Sequence, residues 1–147
     1  MRFDVSSRQV LTCAYPLDAG RAIRTNGFAA ILHPSSLVSR DLVVRVGGYA
    51  SGMRFGGDAE FQMRARHVAH AVNIARYCYF RRRREGSLWT SAETGRDSAA
   101  RRAQWVPIAT QAAENDAKVA RGEKPDLTPF RIAGPVALDH VAGPVLW

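Results

Sequence analysis

Between Val46 and Phe61 the chain carries Gly47, Gly48, Gly52, Gly56 and Gly57, and directly afterwards its apolar residues recur at helical spacing. Glycine enters positive φ without strain and lets the backbone approach a ligand closely, so this density specifies a bending loop. The loop leads into a helix predicted from Asp58 to about Ala69 or Val72, with Phe61, Ala65 and Val68 at i, i+4 and i+7 on a buried face. Asp58 stands where that helix takes its N-cap, and its plainest role is to accept from the free amides of the first turn. A carboxylate at a helix start, carried on such a loop, also suits taking a proton from a docked group. The two roles are compatible.

The flanking sequence reads as alternating short elements. Gln9 to Ala14 is predicted as a strand broken by Pro16 to Gly20, and Phe28 to Leu32 as a second, after an Asn26-Gly27 turn signal. The chain then turns at His33-Pro34. Ser39 is the expected N-cap of a short helix over Arg40 to Val46, stopped by Gly47, with Leu42, Val43 and Val46 against the core. On the helix after Asp58, the residues Arg64, Arg66, His67 and His70 are assigned to the solvated side. His67 and His70 are three apart but lack a third metal ligand nearby, and helical geometry points Asp58 and Glu60 in different directions.

Val72 to Phe80 is rich in β-branched and aromatic residues and is predicted as a strand. Arg81 to Arg84 follow at once, either as a solvated edge guard or as an anion clamp at a strand end. Ser87 to Gly95 is a polar loop. A helical stretch from about Ser98 contains Pro107, which is expected to kink it or split it into Ser98 to Trp105 and Pro107 to about Ala120. From Gly122 the proline and glycine content rises, which predicts an extended tail draped over a surface or ordered by a partner.

Charge narrows the partners. The net charge is +8, and 19 of the 21 basic residues are arginine, whose planar fork suits phosphate. Cys13 and Cys78 lack metal or redox spacing, which points to a reducing compartment. The start of the chain has no apolar signal core and no window has the length of a membrane span, so the expectation is a cytoplasmic protein without a transmembrane segment.

Two phrases carry a resemblance. Val46-Gly47-Gly48-Tyr49, with Arg54-Phe55-Gly56-Gly57-Asp58-Ala59-Glu60-Phe61 and Arg64, resembles the "vGGyd…rfgeD.ef..R" region of family 2 glycosyltransferases of the GT-A fold. Tyr79-Phe80-Arg81-Arg82-Arg83-Arg84-Glu85-Gly86-Ser87-Leu88 is similar to the "yR.h.gSl" segment that follows it in the same family. The likeness spans Phe28 to Gly95, the acceptor-side half. It implies inverting transfer of a sugar from a nucleotide-sugar to an acceptor hydroxyl, with Asp58 as general base. Gly47, Gly48, Arg54, Gly57, Glu60 and Arg84 are the implied substrate-binding residues. Gly57 replaces the usual glutamate, so a second-carboxylate role is absent or falls to Glu60. Arg84 replaces a histidine, exchanging a metal ligand for a fixed cation.

The implied fold is α/β, an incomplete GT-A-like mixed sheet flanked by helices over residues 1–122, with an extended tail over 123–147. The family's Asp-x-Asp pair, which holds Mg or Mn under the diphosphate, does not occur in this sequence, and no metal site is assigned to the chain itself. The implied partners are a nucleotide-sugar, a glycan or other hydroxyl acceptor, and a complementary N-terminal half or a second copy. Two alternatives stand beside this reading. One is a catalytically inactive binding or assembly module. The other is a basic nucleic-acid-binding protein using Arg81 to Arg84, although no nucleic acid is expected, because interleaved aromatics and a recognisable module are missing.

Overall fold

The computed structural model describes residues 2–4, 9–26 and 30–131, and the chain along them is mostly helical. In order it forms β1 (Arg2–Asp4), β2 (Gln9–Leu11), α1 (Ala19–Asn26), a 3-10 turn over His33–Ser35, α2 (Arg40–Arg45), α3 (Gly57–Ala65), β3 (Arg81–Arg83) and α4 (Ala99–Ala120). The strands form one ribbon in the order β2-β1-β3. β1 runs antiparallel to β2, with Phe3 opposite Val10, and parallel to β3, with Phe3 opposite Arg82.

The expected GT-A-like mixed sheet flanked by helices is therefore corrected. Each strand has three residues, whereas α4 alone has 22, and no sheet of α/β proportions exists among the described residues. Two expected strands account for the difference. Val72 to Phe80 runs as irregular backbone, and at its start the chain is tied by single bonds to segments on either side of and within α1. The Gly20 amide donates to Ala71 O at 2.8 Å, the Asn73 amide donates to Leu17 O at 2.8 Å, and the Asn73 side chain donates to Pro16 O and Ala30 O. Strand propensity reports fitness for a half-buried pleated surface, and without a neighbouring ladder it specifies nothing. Of the other, residues 27–29 lie outside the described residues, and Ala30 to Leu32 pass through a bend into the 3-10 turn.

The helix ends follow local chemistry more closely. Ser39 Oγ accepts from the Leu42 amide and Ser98 Oγ from the Arg101 amide, both at 3.2 Å, so α2 and α4 begin at side-chain caps. Gly47 ends α2 at φ +75. α4 passes through Pro107 as one element rather than splitting. Pro107 and Ala103, whose carbonyl the missing amide would have met, are both exposed, so the unmade bond lies where the helix faces solvent.

α3 is the centre of the molecule. On one side Met63 joins Ala19, Ile23, Ala30 and Ile108, with Trp105, Ala112 and Phe130 packed against them. On the other, Phe61 and Ala65 join Val46, with Leu42, Val43, Val68 and Leu127 around them. A helix covered on both sides buries its polar residues as well, and Glu60 through Arg66 are all buried. Arg64 and Arg66 are thus interior, not on a solvated face. α3 also ends at Ala65, short of the expected Ala69, where the Val68 and Ala69 amides close the last turn onto Ala65 O.

Buried charge requires partners, and Arg64 is fully supplied. Its Nε and Nη2 pair with the two oxygens of Glu60 at 2.6 and 2.7 Å. Nη1 donates to Val46 O and to Leu127 O, the latter at 3.1 Å, and Nη2 donates to Gly48 O at 2.9 Å. Glu60 Oε1 also accepts from the Phe130 amide at 3.3 Å. One ion pair therefore ties the helix to the glycine loop and to the irregular run over 123–131.

That run is fixed at a second point. Buried Asn115 of α4 donates to Asp126 O at 2.8 Å and accepts from the Asp126 amide at 2.7 Å. Arg131 then pairs with Ser51 in an isolated parallel bridge. No helix among the described residues is long and apolar enough to cross a membrane.

Removing one member of a buried pair leaves the other charge without compensation. Arg64→Met is expected to cost about 3–5 kcal/mol, and the double change Glu60→Leu with Arg64→Met less than the two single changes added. Urea midpoints for the three variants check this, and additive losses would contradict the coupling.

Candidate functional site: the exposed face around Asp58

The glycine loop presents Asp58 to solvent. Gly56 caps α3 at φ +86, a conformation that side chains rarely adopt, and a Cβ there would also meet Ile108 Cδ1 at 3.4 Å. Because Gly56 is the cap, Asp58 falls in the first helical turn instead of at the N-cap, and no side-chain capping bond forms. Its carboxylate lies at the positive end of the helix, exposed and available.

Two groups feel that carboxylate. Tyr49 stacks on Phe61 with ring centroids 4.4 Å apart and meets His33 edge-on at 5.5 Å. Partial burial, and then the charge of Asp58, push the Tyr49 hydroxyl above its usual pKa. Arg101 of α4 lies 4.5 Å from the Phe55 ring centroid and 5.1 Å from that of Trp89. It also donates to Thr94 O and Leu88 O. Burial pulls the Arg101 pKa down, and Asp58 opposes that shift. The arrangement is an acid near a phenol and a fixed guanidinium, bordered by half-exposed aromatic rings.

The other expected site residues separate into two groups. Gly57 and Gly48 have open space where a Cβ would stand, and Arg54 is exposed. Gly47 is instead packed against Pro129, and Glu60 is sealed in its pair with Arg64, which fits a structural role for both. Arg84 is exposed past the end of β3, and its carbonyl accepts from Thr90 Oγ1 at 2.7 Å. Beside it, the Arg81 guanidinium lies 5.0 Å from the Trp89 ring centroid. Sequence reasoning passed over Arg101, Phe55 and Trp89 as site residues. Arg101 reaches Asp58 only through the packing of α3 on α4, and no local spacing encodes that.

A large cleft lies elsewhere. It holds about 1170 Å³ and is lined by Phe61, Gln62 and Ala65 of α3 and by Arg66 just past its end, but not by Asp58. Among the described residues no three His, Cys, Asp or Glu side chains converge on a metal-sized point. His67 and His70 face apart, with His67 Nε2 3.9 Å from Asp116 of α4 and His70 Nε2 3.9 Å from Asp18 before α1. No protein-family model, curated protein or solved structure matches the chain.

The His67 side chain is buried and its Nε2 has no hydrogen-bond partner. Burial first, and neighbouring Arg66 second, lower its pKa, against a smaller opposing effect of Asp116. The unfolded chain therefore takes up this proton more readily than the folded one, and stability falls as pH drops below about 6.5 toward the lowered folded value. His67→Gln is expected to flatten that part of the stability profile. Urea midpoints at pH 7 and pH 5 for both proteins measure the difference, and parallel profiles would contradict it.

Proposed function

We propose that this chain is the acceptor-side portion of a sugar-transferring enzyme, with Asp58 as the base. The observation that carries the reading is the exposure of Asp58 at the N-terminus of α3, within electrostatic range of Tyr49 and Arg101, while the neighbouring Glu60 and Arg64 are consumed in holding the loop. In this role the acceptor oxygen attacks the anomeric carbon as its proton passes to the Asp58 carboxylate. The bond from that carbon to the nucleoside diphosphate breaks, and the diphosphate leaves with the electron pair. Tyr49, Phe55 and Trp89 offer ring faces and edges for sugar contact, and Arg101 offers a cation that does not move.

The donor is held outside this chain, by a complementary half or a second copy. The resemblance implies a divalent cation under the diphosphate, but the described residues do not fit one, since arginine at position 84 cannot coordinate metal, and no step is assigned to it here. Cys13 and Cys78, both exposed and unpaired, suit a reducing cytoplasm.

A second reading is favoured by one observation: Asp58 borders no part of the large cleft. The same exposed face then serves a glycan-binding module without chemistry.

An oligosaccharide array probed with the labelled chain, together with nucleoside diphosphate release from UDP-glucose, UDP-N-acetylglucosamine and GDP-mannose measured with the complementary donor-binding half present, separates the readings. Transfer is expected to fall about 10²–10⁴-fold in Asp58→Asn, with stability unchanged within about 0.5 kcal/mol and glycan binding retained. Glycan binding without diphosphate release from any donor points to the binding module. Neither binding nor release defeats both.

A further inference from the structure

Arg81 to Arg84 have no aromatic residue among them in the sequence, and the fold brings aromatic rings to them. Gly86 reverses the chain at φ +66, and Thr90 Oγ1 fixes the return by accepting from the Ser87 amide at 3.2 Å and donating to Arg84 O at 2.7 Å. Trp89 is thereby carried back to β3. Its ring centroid lies 5.0 Å from the Arg81 guanidinium and 5.1 Å from that of Arg101, which is itself 4.5 Å from the Phe55 ring centroid. Arg81, Trp89, Arg101 and Phe55 thus form one row in which cations and rings alternate. We infer that this row, with the arginines beside it, is a binding surface for single-stranded nucleic acid.

Charge supports that partner first. Seven of the 19 arginines lie from Arg81 to Arg102, against the three acids Glu85, Glu93 and Asp97. Among the described residues, the side chains of Arg81, Arg82, Arg84 and Arg96 make no hydrogen bond or ion pair, so their planar forks are open to phosphate. A guanidinium resting on a ring has also given up part of its rotamer freedom before a ligand arrives, which lowers the cost of binding.

The rings decide among polyanions. Phe80 is 57% exposed and Trp89 40%, so flat apolar surface stays open next to the cations. Phosphates on arginine together with bases stacked on aromatic side chains or guanidinium planes is how unpaired strands are held. A duplex hides its base faces and a lipid headgroup has none, so either would leave the rings unused. Asp58 lies within electrostatic range of Arg101 and opposes an anion there, which sets the phosphates toward Arg81 and Arg84. The surface adjoins the face around Asp58 but does not rest on sugar transfer at that face.

Fluorescence anisotropy of the full chain with labelled oligouridylate and oligothymidylate of about 20 nucleotides measures the binding. At least one is expected to bind, and to bind about tenfold or more weakly at 200 mM than at 50 mM salt. Arg81→Gln with Arg84→Gln should weaken binding about tenfold, and Trp89→Leu several-fold. Arg21→Gln with Arg24→Gln, which removes two charges from exposed positions on α1, should change it less than about twofold. Asp58→Asn should not weaken binding, so this inference and the transfer reading fail separately. Ultraviolet cross-linking of the unaltered chain, mapped by peptide mass spectrometry, should place the oligonucleotide on residues 80–89 and needs no variant to fold. Absence of binding to both strands, an equal loss in the α1 variant, or cross-links only outside 80–89 would overturn the inference. So would tighter binding to a duplex or to phosphatidylglycerol vesicles than to either single strand.

Discussion

Two charges buried side by side hold this fold in register. Glu60 and Arg64 are each about 97–98% removed from water, and such a pair is tolerable only when each remaining hydrogen-bonding position is met. The guanidinium meets that condition by collecting carbonyls from Val46, Gly48 and Leu127, and the carboxylate by taking the Phe130 amide. The pair adds little net stability over an apolar equivalent, but it fixes where three otherwise unrelated stretches of backbone lie. Apolar contacts alone would allow those stretches to slide.

The exposed acid inherits its position from that arrangement. Asp58 and Glu60 are two residues apart on α3, and the helix turns one outward as it turns the other inward. The loop before them bends at Gly47 and Gly56, both at positive φ, and is held at Gly48 by Arg64. A rigid inner carboxylate thus supports an open outer one. Arg101, whose charge Asp58 feels, is held by two rings and two carbonyls, so it is fixed before any ligand arrives.

Local signals were legible where local chemistry decides. Ser39 as a cap, Gly47 as a stop and the Phe61 and Ala65 face of α3, with Val68 packed against it from beyond the helix end, all follow from residues within a few positions of each other. Of the strands, Gln9 to Leu11 was legible, whereas Val72 to Phe80 has the composition of a strand but is irregular backbone, and Asn73 within it bonds to Leu17 O, Pro16 O and Ala30 O instead of to a ladder. Arg64 and Arg66 were misplaced for a related reason. Periodicity assigns one buried face, whereas α3 is enclosed on both sides, and only the contacts with Val46, Leu127 and Asp116 reveal it. The guanidinium of Arg101, whose charge Asp58 feels, comes from α4 and was equally invisible.

The link from Phe130 to Glu60 joins residues 70 apart. A nascent chain emerging from the ribosome exposes α3 long before it exposes 127–130, so for that interval the ion pair lacks two of its partners and stays hydrated. Closure of the interior is therefore a late event in synthesis, governed by the arrival of an irregular segment and not by the helices made earlier.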